Sequence, residues 1–361
     1  MITSGGGKAL SYRDKKVLIT GGLGFIGSNL AIRLVEAGAQ VAIVDSSVPG
    51  CGANLYNIEP VRQRVQLFPH PICEPEWFSD RLGASDVIFN LAGEISHVHS
   101  MDFPERDMQI NAVAQLQFLE ACGRLARGVR IVYASTRQVY GVPKYLPVDE
   151  SHPIQPIDFN GVHKYAATAY HLLYSTLGEV DAVALHLTNV YGPRMAVNVP
   201  CQGFLSTFLR RLLTGGTLEV YGDGRQLRDP IYVDDAVEAF LLAGDIPRLP
   251  SRVYNVGGPE SLTLLEIAEL AGRAAGGADV RTCAFPEGRK AIDIGSYYTD
   301  YRRIRGELGW APKVGFTDGI SRTLAYYGEK LPYYLDPALA RPSCTMPEHN
   351  GLRRRLKFAN V

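Results

Sequence analysis

Two rhythms of apolar and polar positions alternate along the first half of the chain. Val17-Leu18-Ile19 is an unbroken apolar run, which predicts a strand buried on both faces. A glycine-rich turn follows, and an apolar stripe at helical spacing then runs from Phe25 to about Ala37. The exchange repeats. Short apolar runs predict strands at Gln40–Val44, Val65–Phe68, Asp86–Leu91, Arg130–Ala134 and Ala182–Leu187, and helical periodicity covers about Glu105–Leu125 and Gly161–Leu177. This order predicts an α/β fold, a doubly wound parallel Rossmann sheet with right-handed crossovers and a ligand crevice at the carboxyl ends of its strands.

Beyond about Tyr191 the rhythm changes to a helix at about Gly203–Leu213, short strands, Pro/Gly turns and a helix at about Leu262–Ala275 with Ser261 or Thr263 as its cap. We therefore expect a dinucleotide-binding domain over 15–190, a smaller C-terminal substrate-binding region over 191–330, a flexible leader over 1–14 and a Pro-rich, aromatic tail over 331–361.

Composition narrows the partners. Lys+Arg and Asp+Glu both number 37, so no net charge favours a nucleic acid. The run Arg353-Arg354-Arg355 with Lys357 reads as a solvated tail. Cys51, Cys73, Cys122, Cys201, Cys283 and Cys344 show neither paired nor metal-ligand spacing, which predicts reduced thiols, no metal and a cytoplasmic setting. The N-terminus lacks the apolar core of a signal peptide, and no run reaches the ~18 apolar residues of a membrane span.

The candidate chemistry begins at Gly21-Gly22-Leu23-Gly24-Phe25-Ile26-Gly27. Gly22, Gly24 and Gly27 fit the dinucleotide fingerprint: a tight turn, close backbone approach to a pyrophosphate, and helix packed on strand. The helix start supplies free N–H groups and the positive end of its dipole. Asp45 closes the second strand, about 20 residues on, where a carboxylate accepts from ribose hydroxyls and repels a 2′-phosphate. NAD is thereby favoured over NADP.

Four further stretches complete a pattern: Ser135-Thr136-Arg137-Gln138-Val139-Tyr140-Gly141, Asn160-Gly161-Val162-His163-Lys164, Leu187-Thr188-Asn189-Val190-Tyr191-Gly192-Pro193-Arg194, and Gly222 to Asp235. With the glycine loop, these make the chain resemble the extended short-chain dehydrogenase/reductase superfamily over about residues 15–330. More narrowly, it is similar to the nucleotide-sugar epimerase/dehydratase branch, in the manner of UDP-glucose 4-epimerase. The resemblance implies a tightly held NAD, a nucleoside-diphosphate sugar as substrate, and transient oxidation of a hydroxyl followed by re-reduction. It implies that Thr136 hydrogen-bonds the reacting oxygen and that Lys164 holds the nicotinamide ribose. Gly21, Gly24, Phe25, Ile26, Asp45, Ser46, Ile72, Leu91, Ala92, Gly93 and Asn111 would serve the cofactor. Asn189, Arg228, Arg289 and Lys290 would grip the diphosphate, and Glu94 and Arg137 would face the sugar. It also implies a homodimer that pairs the helices at about 105–125 and 161–177, with Ala166, Ala167, Ala169 and Leu172 as a small apolar face.

Departures from the family pattern carry information too. The family motif is Tyr-x-x-x-Lys with tyrosine as general base, and here the tyrosine position is Asn160. An amide does not titrate near neutrality. Three alternatives stand: another acceptor (Tyr165, His163, Tyr140, Glu94 or Lys164), proton exit through Thr136 and water, or a protein without redox turnover. The dehydratases follow the Thr with Asp-Glu, whereas this chain has Arg137-Gln138, neither of which cycles a proton at neutral pH. Elimination is thus disfavoured, and epimerisation is the leading expectation. Dehydratase, decarboxylase, ketoreductase and a non-turnover NAD-binding protein are the alternatives. Pro71 stands where the family has an adenine-contacting Asp, and Lys290 replaces a forked arginine by a point charge.

Overall fold

The computed structural model describes residues 10–48, 50–199, 203–286 and 289–335. All six expected strands form: β1 (Lys16–Thr20), β2 (Gln40–Val44), β3 (Val65–Phe68), β4 (Val87–Asn90), β5 (Arg130–Thr136) and β6 (Asp181–Leu187). A seventh, β7 (Val253–Val256), completes one parallel sheet in the order β7-β6-β5-β4-β1-β2-β3. Strand order reverses between β1 and β4, so the crevice lies beyond their carboxyl ends. In-register pairing sets Thr20 level with Val44 and Asn90, and Thr136 level with Leu187, so the connecting loops emerge on one edge.

The principal helices are α1 (Phe25–Glu36), α2 (His97–Asp102), α3 (Ala114–Leu125), α4 (Phe159–Thr176), α5 (Phe204–Leu213), α6 (Val233–Asp245), α7 (Leu264–Ala274) and α8 (Phe316–Lys330). Leu30 and Leu34 of α1 join Val237 and Phe240 of α6 against Ile19, Val41 and Phe89 on one face of the sheet. Phe118 and Leu119 of α3, with Tyr170 and Tyr174 of α4, cover Leu18, Ile88 and Ile131 on the other. Each large apolar side chain fully buried here contributes about 1.5–3 kcal/mol.

After the boundary expected near residue 190, α6 and β7 return to the Rossmann layer. The C-terminal region proper has its own core of Leu205, Phe208, Ile267, Ala271, Phe316 and Ile320, drawn from α5, α7 and α8. Thr263, not Ser261, caps α7, forming a reciprocal capping box with Glu266.

The leader expected over 1–14 lies outside the described residues as far as 9. Tyr12 departs from it, with its ring fully buried and its hydroxyl donating to Leu241 O at 2.7 Å. The tail beyond 335, with its basic run, also lies outside the described residues. Its start is docked, since Tyr334 is buried and donates to Asn57 Oδ1 at 2.7 Å. The helix expected over about 105–125 is interrupted. A short helix Pro104–Met108 passes through a π-helical turn, Gln109–Val113, before α3 begins. Asn111 explains the irregularity. Its side chain both accepts from Glu94 N (3.1 Å) and donates to Glu94 O (3.0 Å), which turns it inward and displaces the helical register.

Candidate functional site

A cavity of about 610 Å³ opens beyond the carboxyl ends of β1, β4, β5 and β6. Its glycine cradle follows from β1. Thr20 Oγ1 donates to Asn90 Oδ1 (2.7 Å) and accepts from Leu91 N and Ala92 N (3.2 Å each), locking the ends of β1 and β4 together. Gly21 then turns at φ +68°, and a Cβ there would sit 2.8 Å from Leu91 O. A Cβ on Gly27 would strike Gly21 O, so α1 packs on the loop only because that side chain is absent. Gly21, Gly24, Phe25 and Ile26 line the cavity with the start of α1.

Asp45 ends β2 at the same wall. Its carboxylate accepts from Leu23 N (3.0 Å) and Ser47 N (2.8 Å), and burial pushes its carboxyl up against the opposition of these two N–H groups. Ser46 and Ile72 flank it, and Leu91, Ala92 and Gly93 continue the wall. These residues fit a dinucleotide: a glycine turn only a side-chain-free backbone can make, a helix N-terminus for the pyrophosphate, and a fixed carboxylate for a ribose.

At the far end Lys164 is buried against Gly93, where an added Cβ would lie 2.7 Å from its Nζ. Burial pushes the Lys164 ammonium down to about 8, with Asp107 opposing. Thr136 lines the cavity opposite, its Oγ1 accepting from Gln138 N at 3.2 Å. Arg137 donates from Nη2 to Asn189 Oδ1 (3.1 Å), stacks over Tyr297 at 4.8 Å, and has no hydrogen-bond partner at Nη1 among the described residues. Arg228 shares the lining and reaches Leu227 O (2.7 Å) and Asp293 (3.5 Å). Burial and the neighbouring Arg137 charge push Arg228 down to about 9. Both guanidinium groups stay charged at neutral pH, and two buried cations side by side make a positive field suited to an anion.

Asn160 is buried at the cavity wall and donates from Nδ2 to Glu94 O (2.9 Å) and Asp107 Oδ2 (3.0 Å). Asp107 Oδ1 is held in turn by His163 Nδ1 at 2.7 Å. The helix carrying these residues begins at Phe159, earlier than its apolar periodicity indicates, because Asp158 caps it through Gly161 N (2.6 Å).

Several expected site residues lie elsewhere. Asn111 does not line the cavity but braces the Glu94 backbone behind it. Glu94 turns its carboxylate away to His99 and to Arg106 (3.4 Å). Lys290 is exposed on a short turn, Arg289–Ile292, off the cavity wall, and the Arg289 side chain lies outside the described residues. Of the surrogate bases, Tyr165 is 42% exposed and faces a second cavity. The Tyr140 hydroxyl donates to Asn255 Oδ1 at 2.7 Å, away from the site. The sequence reading missed His97, which lines the cavity and lies 3.3 Å from Asp158. A polar stretch with two histidines carries no periodicity that would have marked it.

The family model for the NAD dependent epimerase/dehydratase family matches residues 17–257. The chain is 32% identical over 321 residues to a UDP-glucose 4-epimerase of Mycolicibacterium smegmatis, covering 87% of this chain and 99% of the relative. It is also 32% identical over 321 residues to a dTDP-glucose 4,6-dehydratase of Actinoplanes, covering 86% and 97%. The crystal structure of UDP-glucose 4-epimerase with UDP-glucose from Thermotoga maritima superposes with a TM-score of 0.79 at 28% identity, covering 87% of this chain and 99% of that one. A glycine cradle on a reversed parallel sheet, a lysine on the helix after β5 and a match across most of the chain lead to one conclusion: the protein belongs to the NAD dependent epimerase/dehydratase family.

Proposed function

We propose that the protein is an NAD-dependent epimerase of a nucleoside-diphosphate sugar. The observation that carries this reading is the buried Arg137–Arg228 pair beside Asn189, lining the same cavity as Asp45. Two adjacent buried cations, only partly offset by Asp293 and Asp229, suit a compact polyanion, and the diphosphate of a sugar nucleotide fits the arginine fork geometry. The relatives that act on UDP-glucose and dTDP-glucose favour the same class.

NAD, when bound, supplies the hydride acceptor and donor. Lys164 would hold the nicotinamide ribose, and its charge beside Gly93 disfavours a positive nicotinamide while favouring negative charge on a reacting oxygen. The Thr136 hydroxyl donates a hydrogen bond to that oxygen. Arg137 and Gln138 occupy the place where elimination needs an acid and a base on neighbouring carbons, so inversion at one carbon is the reaction this chemistry favours.

We further propose a homodimer. The exposed face of α4 carries Val162, Tyr165, Ala169 and Leu173, an apolar stripe at helical spacing. Ala167, expected on that face, is instead fully buried. No described helix is long and apolar enough to cross a membrane, and Cys51, Cys73, Cys122 and Cys283 are free thiols, which supports a reducing cytoplasmic setting.

NMR of UDP-, GDP-, CDP- and dTDP-sugars incubated with the protein in D₂O tests the activity. The expected product is an epimer without deuterium on carbon. Deuterium on carbon, a 4-keto-6-deoxy sugar, or silence across the panel refutes the reading.

A further inference from the structure

The site has lost the phenol that accepts the substrate proton, and Asn160 cannot replace it. Four of the five surrogates suggested by the sequence are engaged away from the cavity. Glu94 holds His99 and Arg106, His163 holds Asp107, the Tyr140 hydroxyl holds Asn255, and Tyr165 faces the second cavity. Lys164 does line the cavity, but its ammonium packs against Gly93 and reaches Ala134 O at 3.4 Å.

His97 is different. It is the first residue of α2, whose start is fixed by Ser96 Oγ accepting from His99 N at 3.1 Å. The helix is pinned to α4 by Asn160 N donating to Ser100 Oγ at 3.2 Å. The imidazole is one-third exposed and lines the same cavity as Thr136, Gln138, Asn160 and Lys164. Its Nδ1 lies 3.3 Å from Oδ2 of Asp158, within ion-pair reach, and has no aligned hydrogen-bond partner among the described residues. That carboxylate is itself immobile: it is buried, takes Gly161 N at 2.6 Å, and receives Gln138 Nε2 at 3.3 Å. Burial pushes the Asp158 carboxyl up, but His97, the Gly161 N–H and Arg137 outweigh it and hold it below the usual range, as a carboxylate. A buried carboxylate 3.3 Å from Nδ1 favours the ring proton on that nitrogen, the tautomer in which Nε2 can accept.

We propose that His97 is the proton acceptor that stands in for the missing tyrosine, and that Asp158 is its positioning residue. The proposal rests on the epimerase reading above. In the oxidation the sugar O–H bond breaks and its proton passes to His97 Nε2. The electron pair left on oxygen becomes the C=O bond as the carbon gives up its hydride. In the return step the hydride is restored to the other face of the carbon, and Nε2 gives the proton back to the oxygen. No proton is gained or lost over the cycle, and Asp158 stabilises the imidazolium between the two steps.

The test uses the full-length holoprotein and the sugar nucleotide that wild type turns over in the NMR panel. In His97→Ala, kcat should fall by about 10²–10⁴-fold, the worth of a positioned general base. KM, bound NAD and thermal stability should stay at wild-type level, and added imidazole should restore part of the lost rate. In Asp158→Asn the ring ¹⁵N shifts of His97 should report a changed tautomer balance, which loss of a merely structural contact would not produce. Wild-type kcat in His97→Ala, or a lost rate that imidazole does not restore, overturns the proposal and leaves the epimerase reading standing. A wild-type protein silent on the whole panel overturns that reading first, and this one with it.

Discussion

Lys164 offers a test of the site's electrostatics that needs no substrate. Its ammonium is pushed from an ordinary 10.5 down to about 8 by burial. At about 1.4 kcal/mol per pH unit, that displacement corresponds to a destabilisation of about 3 kcal/mol at neutral pH. Asp107 offsets it only in part, and the Lys164 Nζ reaches Ala134 O only at 3.4 Å and stands 5.4 Å from the Tyr133 ring. Lys164→Met keeps the length and removes the charge. The cofactor-free variant should therefore be more stable than wild type at pH 7, while its affinity for NAD falls. The sign of the pH dependence follows from linkage. The folded value lies below the unfolded one, so between about pH 8 and 10.5 the unfolded chain holds more protons and wild-type stability rises with pH relative to the variant. Urea denaturation of both proteins at steps from pH 7 to 11 measures the difference, in which titrations common to the pair cancel. The gap should close by up to about 3 kcal/mol across that window. A gap independent of pH would show that Lys164 is not desolvated and would refute the reasoning.

Three other perturbations address the remaining parts of the cavity. Asp45→Asn should cut the preference for NAD over NADP by about 10–100-fold, the worth of roughly 1–3 kcal/mol of carboxylate–phosphate repulsion near a protein surface; fluorescence titration with both cofactors would contradict this by an unchanged ratio. Arg228→Gln should weaken nucleoside diphosphate binding by about 10–100-fold, as expected for one charge-assisted contact of about 1.5–3 kcal/mol, and calorimetry showing wild-type affinity would remove Arg228 from the diphosphate site. Gly27→Ala forces a Cβ onto Gly21 O and should lower stability by about 1–3 kcal/mol with loss of bound NAD. An alanine variant that purifies with a full complement of NAD would contradict that reading of the loop.

Five of the strands legible in the sequence, β1, β2, β4, β5 and β6, were those whose burial on both faces leaves an apolar run bounded by turns, while the half-buried edge strand β3 showed through its apolar residues Val65, Leu67 and Phe68. The edge strand β7 escaped because its four residues follow a stretch interrupted by Pro247 and Pro250 and run into Gly257-Gly258. The α6 helix escaped for the opposite reason. It is buried almost all round, so it has no polar face to set a helical period. Local motifs pointed to the glycine cradle, Asp45, Thr136 and Arg228, which sit at or beside strand ends, and to Lys164 on α4, and all of them line the cavity. Nothing local links His97 to Asp158, which are brought together only by α2 packing across the start of α4. Asn111 and Glu94 went astray for a related reason. Their side chains satisfy each other's neighbourhood and the Arg106–His99 pair instead of the cavity, a choice made by tertiary contacts.

Asn160, at the position where the resemblance expects a tyrosine, raises the question of whether this site acts, and the energetics of its buried charges bear on it. Asn160 is explained by structure alone: its amide ties α4 to the loop after β4 and fills one valence of Asp107. The cations are not explained that way. Arg137 keeps a buried nitrogen without a hydrogen-bond partner among the described residues, Arg228 is crowded by it despite its contacts to Leu227 O and Asp293, and Lys164 sits desolvated with Asp107 as its chief compensation. Each burial opposes folding, and replacing such groups with apolar side chains of similar size is often stabilising. A protein that only needed this shape would be more stable without them. Their placement around one cavity, on the side where a diphosphate and a ribose would lie, makes sense when anionic ligands and a developing alkoxide complete the charge balance. The polar architecture thus argues for a site whose charge balance is completed by bound anions, the setting in which the proposed acceptor His97 would act.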